Sequence, residues 1–323
     1  MRVALCLGSG GARGYAHIGV INEVLERGHD IVGISGSSMG ALVGGVYAAG
    51  KLDEYTDWAT SLTQRAVLRL LDPSISAAGV LRAEKILDAV REILGDVAIE
   101  DLPIPFTAVA TDLIAGKSVW LQRGAADAAI RASIAIPGMI SPYVLDGRLL
   151  ADGGILDSLP MAPISAVNAD LTIAISLAGE VPRPPTDGTE PKVGTEWLNR
   201  MWRSTSALLD TRAARTVLDT PSARSVLSRF ATSSDDELVD ADKESPAPKL
   251  GSFEVMNRTI DIAQSALARH TLAAYPPDLL IEVPRTACRT LEFHRAAEMI
   301  EVGRELATTA LDSLHRPAVE SPA

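Results

Sequence analysis

Three short glycine-bearing stretches hold the residues of this chain whose types and spacing could do chemistry. Gly36-Ser37-Ser38-Met39-Gly40 follows a β-branched run and opens a stretch of small residues. In that strand-turn-helix setting, a Gly-x-Ser-x-Gly pentapeptide lifts its central hydroxyl out of the sheet, because the glycines leave room for a strained turn. Ser38 is therefore the candidate nucleophile. Ser35 and Ser37 lie off the central position and read as turn or cap hydroxyls.

Gly8-Ser9-Gly10-Gly11-Ala12-Arg13-Gly14 lies between the first apolar run and the first helical one. Glycines there turn the backbone tightly and present N–H groups to a negative oxygen. The spacing is Gly-x-Gly-x-x-x-Gly rather than the Gly-x-Gly-x-x-Gly of a dinucleotide site. Asp152, in Leu150-Ala151-Asp152-Gly153-Gly154, ends an apolar run and has two glycines behind it. Strand ends of that kind carry the working groups of α/β enzymes, although an isolated Asp-Gly is usually only a turn.

The elements that must position these residues follow from periodicity. Strands are expected at Val3 to Leu7, Ile31 to Ser35, Phe106 to Ala110, Val119 to Gln122, Leu149 to Asp152, Leu171 to Leu177 and Leu279 to Val283. Helices are expected at Arg13 to Arg27, Met39 to Ala49, Asp53 to Leu71, Arg82 to Leu94, Phe253 to Leu272 and Phe293 to Leu311. The alternation implies an α/β/α sandwich with a mostly parallel sheet. Ile31 to Gly50 is uncharged, but its glycines, serines and β-branched front half suit a buried strand and turn better than a membrane span.

The expected domain organisation is one hydrolase domain over 1–323, interrupted by an insertion at about 180–251. The insertion begins with Val181-Pro182-Arg183-Pro184-Pro185 and ends in an acidic, Ser-rich run. Its middle places Trp197, Leu198, Met201, Trp202, Leu208 and Leu209 near helical spacing, with arginines between them. Residues 181 to 230 carry eight basic and five acidic side chains. A cap helix docked on the core is the preferred reading, and contact with a lipid headgroup layer is the alternative.

The whole chain has 323 residues, 47% of them apolar, enough for a sizeable core. Its 30 basic and 41 acidic side chains leave a charge of −11, which excludes broad nucleic-acid binding. Only Cys6 and Cys288 are present, so neither a disulfide framework nor a cysteine zinc site is expected. With no export signal read at the N-terminus, a cytoplasmic location is the default expectation.

Taken together, the three stretches resemble the patatin-like phospholipase family, in its bacterial branch related to the catalytic domain of neuropathy target esterase. Ala16-His17-Ile18-Gly19-Val20, Ala110-Thr111-Asp112-Leu113, Arg131-Ala132-Ser133-Ile134-Ala135-Ile136-Pro137-Gly138, Asp278-Leu279-Leu280-Ile281 and Phe293-His294-Arg295-Ala296 extend the likeness. The resemblance covers about 1–178 and 252–312.

It implies a serine acyl hydrolase acting on fatty-acyl esters or phospholipids, with no cofactor or metal. Ser38 and Asp152 would form a Ser-Asp dyad. Gly10, Gly11 and Ala12 would supply oxyanion N–H groups, and Arg13 would steady their loop. Bilayer contact would be peripheral, through the 181–230 segment.

An unperturbed Asp has a pKa of about 3.9 and is a poor base for a serine, so a dry site around Asp152 is expected. Three departures from the family pattern stand out: Ser9 where glycine is common, Ser37 where Thr is common and Asp157 where Asn is common. Asp157 is expected to face solvent; otherwise it would raise the pKa of Asp152 by repulsion. His17 is expected to be structural, and His294 is the spare proton-relay candidate. The alternatives are an esterase or thioesterase of soluble substrates, and a non-catalytic anion- or nucleotide-binding regulatory domain.

Overall fold

The computed structural model describes residues 1–70, 84–137, 139–179 and 252–314. They lie in one compact unit. The expected insertion, with its amphipathic stretch, lies outside the described residues.

Eight strands form one sheet: β1 (Arg2–Leu7), β2 (Asp30–Ser37), β3 (Phe106–Asp112), β4 (Lys117–Leu121), β5 (Tyr143–Leu145), β6 (Arg148–Asp152), β7 (Leu171–Gly179) and β8 (Leu279–Pro284). The core β3-β2-β1-β7-β8 is parallel, and β4, β5 and β6 join antiparallel on the β3 side. Around it run α1 (Ala16–Glu26), α2 (Met39–Ala48), α3 (Leu52–Ser61), α4 (Gln64–Leu70), α5 (Glu84–Leu94), α6 (Ala126–Ser133), α7 (Met161–Ile164), α8 (Ser252–Ala274) and α9 (Ala296–Leu314).

The period of two in β1 sorts its side chains between two cores. Val3, Leu5 and Leu7 join the larger one with α1, α2, α3, α5 and α9, while Ala4 and Cys6 join a smaller one with α7 and Leu272 of α8. The sheet is therefore covered on both faces, the expected three-layer sandwich.

The differences from the expected elements are local. The first helix begins as a 3-10 turn, Gly11–Tyr15, because the glycine loop bends into it. The Asp53 to Leu71 helix breaks at Leu62 and Thr63 into α3 and α4. β5, α6 and α7 fall outside the expected elements; each is short, three, eight and four residues long. Ile31 to Gly50 is a strand, a turn and a helix, and no helix among the described residues is long and apolar enough to cross a membrane.

Pairing along β3 determines where the site forms. β3 meets β2 at Ile34↔Phe106 through Ser37↔Val109, and meets β6 at Ala110↔Asp152 through Asp112↔Leu150. β4 covers Ala108 to Asp112, overlapping both partners, so it must occupy the opposite edge of β3. β2 and β6 therefore lie end to end along one edge, with Ser37 and Asp152 opposite consecutive residues of β3.

Candidate active site

Ser38 occupies the turn between β2 and α2 at φ +55°, a conformation rare for a side-chain-bearing residue and costing about 1–3 kcal/mol. The neighbouring glycines are required by space. A Cβ on Gly36 would strike the backbone of Gly40, and one on Gly40 would strike the Leu7 carbonyl. Ser133 at the end of α6 pins the turn, accepting the Ser38 N–H at 2.9 Å and donating to the Val109 carbonyl at 2.6 Å.

The Ser38 hydroxyl donates to Asp152 Oδ2 at 2.5 Å, and the Gly154 N–H donates to Oδ1 at 2.7 Å. The two side chains are buried, with Ser38 2% and Asp152 4% exposed. Burial pushes the Asp152 carboxyl up to about 6, and the hydrogen bonds from Ser38 and Gly154 hold it back from rising further. The expected dry environment is present, and the group titrates closer to neutrality than a free aspartate.

The glycine loop runs beside this pair. Gly11 sits at φ +58° and lines the same cavity as Ser38. The N–H groups of Gly10 and Gly11 donate to no carbonyl among the described residues, whereas the Ala12 N–H donates to the Thr290 carbonyl at 2.9 Å. Ala12 is therefore not available to an oxyanion, contrary to the expectation from sequence. Arg13 ties the loop down by donating to the carbonyls of Gly10 and Arg285, each at 3.3 Å.

His17 is fully buried, and its Nε2 lies 2.9 Å from the Gly8 carbonyl. Burial drives its pKa down to about 4, so it is a neutral donor that holds the loop, as expected of a structural residue. His294 lies on the 3-10 turn Phe293–Arg295 before α9, where Phe293 is the residue that lines the cavity.

Asp157 departs from expectation. Its Oδ1 is buried without a hydrogen-bond partner, and burial raises its pKa to about 6. The residue is half-buried, with one carboxyl oxygen shut off from solvent. Desolvation, and not repulsion from Asp157, raises Asp152.

Ser38 opens into a cavity whose walls include Leu42, Trp58, Val67, Leu87, Ile136 and Ile140. Aliphatic and aromatic side chains supply nearly all of its lining, the kind of surface that suits an apolar ligand. Sequence reasoning did not assign roles to Ser133 or to the Arg285–Phe293 segment, which clasps the glycine loop from behind. The first was legible only as part of a family-like stretch, and the second depends on contacts more than 270 residues apart.

The patatin-like phospholipase model matches residues 5–164. An uncharacterized NTE family protein of Mycobacterium tuberculosis is 70% identical over 341 residues, covering 100% of this chain and 94% of its own length. The chain belongs to the patatin-like NTE family. Within that family, the lysophospholipase NTE1 of Mycosarcoma maydis is 31% identical over 62% of this chain and 11% of its own. Neuropathy target esterase sws of Drosophila melanogaster is 29% identical over 62% of this chain and 14% of its own. NTE family membership supports a lipid esterase or phospholipase activity in general.

Proposed function

We propose that this NTE family chain is a serine acyl hydrolase of long-chain fatty-acyl esters, working through Ser38 and Asp152. The observation that carries the reading is a 2.5 Å hydrogen bond between those side chains at the base of an apolar cavity. Ser38 Oγ attacks the ester carbonyl as its proton passes to Asp152, and the oxyanion accepts from the Gly10 and Gly11 N–H groups. Each such donor contributes about 2.7–4 kcal/mol to transition-state stabilisation. Collapse expels the alcohol, which takes the proton from Asp152 and leaves an acyl-Ser38 ester. Water then gives a proton to Asp152 and attacks, and collapse returns that proton to Ser38 as the fatty acid leaves.

A carboxylate titrating near 6 is a better base for this task than an ordinary aspartate. The cavity lining matches an acyl chain and has little to offer a charged or sugar-like ligand. A regulatory anion site would use the glycine loop but leave the Ser38–Asp152 pair without a role.

The test is labelling by a fluorophosphonate and turnover of a long-chain p-nitrophenyl ester. Ser38→Ala is expected to abolish both, and Asp152→Asn to lower kcat by about 10³-fold or more. Undiminished labelling in Ser38→Ala would refute the assignment. Faster turnover of a soluble short acyl ester than of the long one would favour the esterase alternative.

A further inference from the structure

A polar cavity, separate from the apolar one at Ser38, lies between the end of β7, the glycine loop, α8 and the segment after β8. Two arginines line it, Arg13 from the loop and Arg285 from just past β8, together with Ser9, Ser176 of β7, and Gln264 and Ser265 of α8. All six residues are half-buried. Among the described residues, no carboxylate lines this cavity. Glu282, opposite Ser176 in the β7–β8 register, is exposed and stands outside the lining.

Arg285 is the anchor. Its Nε donates to the Ala178 carbonyl at 3.2 Å and its Nη2 donates to the Ser265 hydroxyl, and both acceptors are neutral. Its Nη1 makes no hydrogen bond among the described residues. A half-buried guanidinium held by neutral groups alone lacks a countercharge, and its planar fork matches the paired oxygens of an oxyanion. The neighbouring groups can donate as well. The Ser176 hydroxyl accepts the Ala178 N–H at 3.3 Å and has its own proton to give, and the Gln264 amide makes no hydrogen bond among the described residues.

This donor-rich lining decides the class of ligand. A carboxylate offers two oxygens and one charge, enough for a single guanidinium. A phosphate group offers three terminal oxygens and a charge of about −1.5 to −2, which suits two arginines with hydroxyl and amide donors between them.

We infer that this cavity binds a phosphate group, with Arg285 as its anchor and Arg13, Ser9, Ser176 and Gln264 around it. Soluble phosphate and a phosphorylated lipid headgroup share this chemistry, and the experiment separates them. The site does not depend on the acyl-hydrolase reading of Ser38 and Asp152.

The test uses the full-length chain at constant ionic strength, with sodium chloride as the reference. Inorganic phosphate at about 10 mM is expected to raise the unfolding temperature by about 2 °C or more over chloride. Arg285→Gln removes the anchor, and Gln264→Glu places a carboxylate in the cavity while leaving both arginines in place. Each variant is expected to lose the phosphate response. In chloride, Gln264→Glu is expected to unfold at or above the wild-type temperature, which separates a lost site from a damaged fold. Phosphatidylcholine vesicles with and without phosphatidate are the second arm. Phosphatidate-dependent pelleting that both variants lose assigns the site to a lipid headgroup, and a thermal response without pelleting assigns it to soluble phosphate. Neither response in wild type, or a response that either variant keeps, would overturn the inference.

Discussion

At the residue scale, burial sets the chemistry of two carboxylates in different ways. Asp152 is hydrogen-bonded on both oxygens and titrates near 6, so its base form is populated above that pH. The kcat/KM for a long-chain ester is expected to fall about tenfold per unit as pH drops below about 6, with a plateau above it. A profile that stays flat to pH 4.5 would show that this carboxylate is not the base. Asp157 is raised to a similar value but has an oxygen with no partner. A carboxyl whose folded pKa exceeds its unfolded value costs nothing at low pH and destabilises the fold as pH rises through about 6. Asp157→Asn is therefore expected to raise stability at pH 8 by about 1–3 kcal/mol, with the gain vanishing near pH 4, as measured by urea unfolding at both values. Ser38 and Asp152 were legible from sequence because each sits beside glycines whose placement has a steric reason, whereas the role of Arg13 was implied only by the family resemblance. Asp157 was misread because its burial depends on what packs over it, and one residue's type does not report that. Ala12 was misassigned as an oxyanion donor because its acceptor, the Thr290 carbonyl, comes from a distant segment.

At the element scale, the site is assembled by strand pairing and held by one helix terminus. β3 hands its edge from β2 to β6 between Val109 and Ala110, which brings the turn after β2 to the end of β6. α6 then locks the turn through Ser133. Removing that hydroxyl leaves the Ser38 N–H and the Val109 carbonyl unmatched. Ser133→Ala is expected to destabilise by about 1–3 kcal/mol and to reduce kcat more than KM, checked by thermal unfolding and steady-state kinetics. A loss of stability without loss of kcat would mean that the turn keeps its geometry unaided. The parallel strands were readable as apolar β-branched runs. The handover between β2 and β6 was not, because antiparallel β6 pairs with a strand some forty residues earlier and its register leaves no local signal.

At the scale of the whole molecule, two environments meet at Ser38 and Asp152: an apolar cavity above and a sheet edge below. The cavity draws on α3, α4, α5, the segment after α6 and the turn before α9, so its size is a property of the fold and not of any motif. Ile140 lines it and is only partly buried, so it can be enlarged without disturbing the core. Ile140→Trp is expected to lower kcat/KM for a long-chain ester roughly tenfold while sparing a two-carbon ester, by comparing both substrates on the same preparation. Equal losses on both would place the acyl chain elsewhere. Composition argued against broad nucleic-acid binding and a disulfide framework but was silent on this cavity, whose walls come from α3, α4, α5, the segment after α6 and the turn before α9.

The most direct measurement is the identity of the residue that carries the acyl group during turnover. The full-length chain, mixed with a long-chain p-nitrophenyl ester, quenched in acid and digested, is expected to carry one acyl group on the peptide containing Ser38. Asp152→Asn is expected to slow its appearance. An acyl group mapped to any other side chain, or sustained turnover by Ser38→Ala, would contradict it.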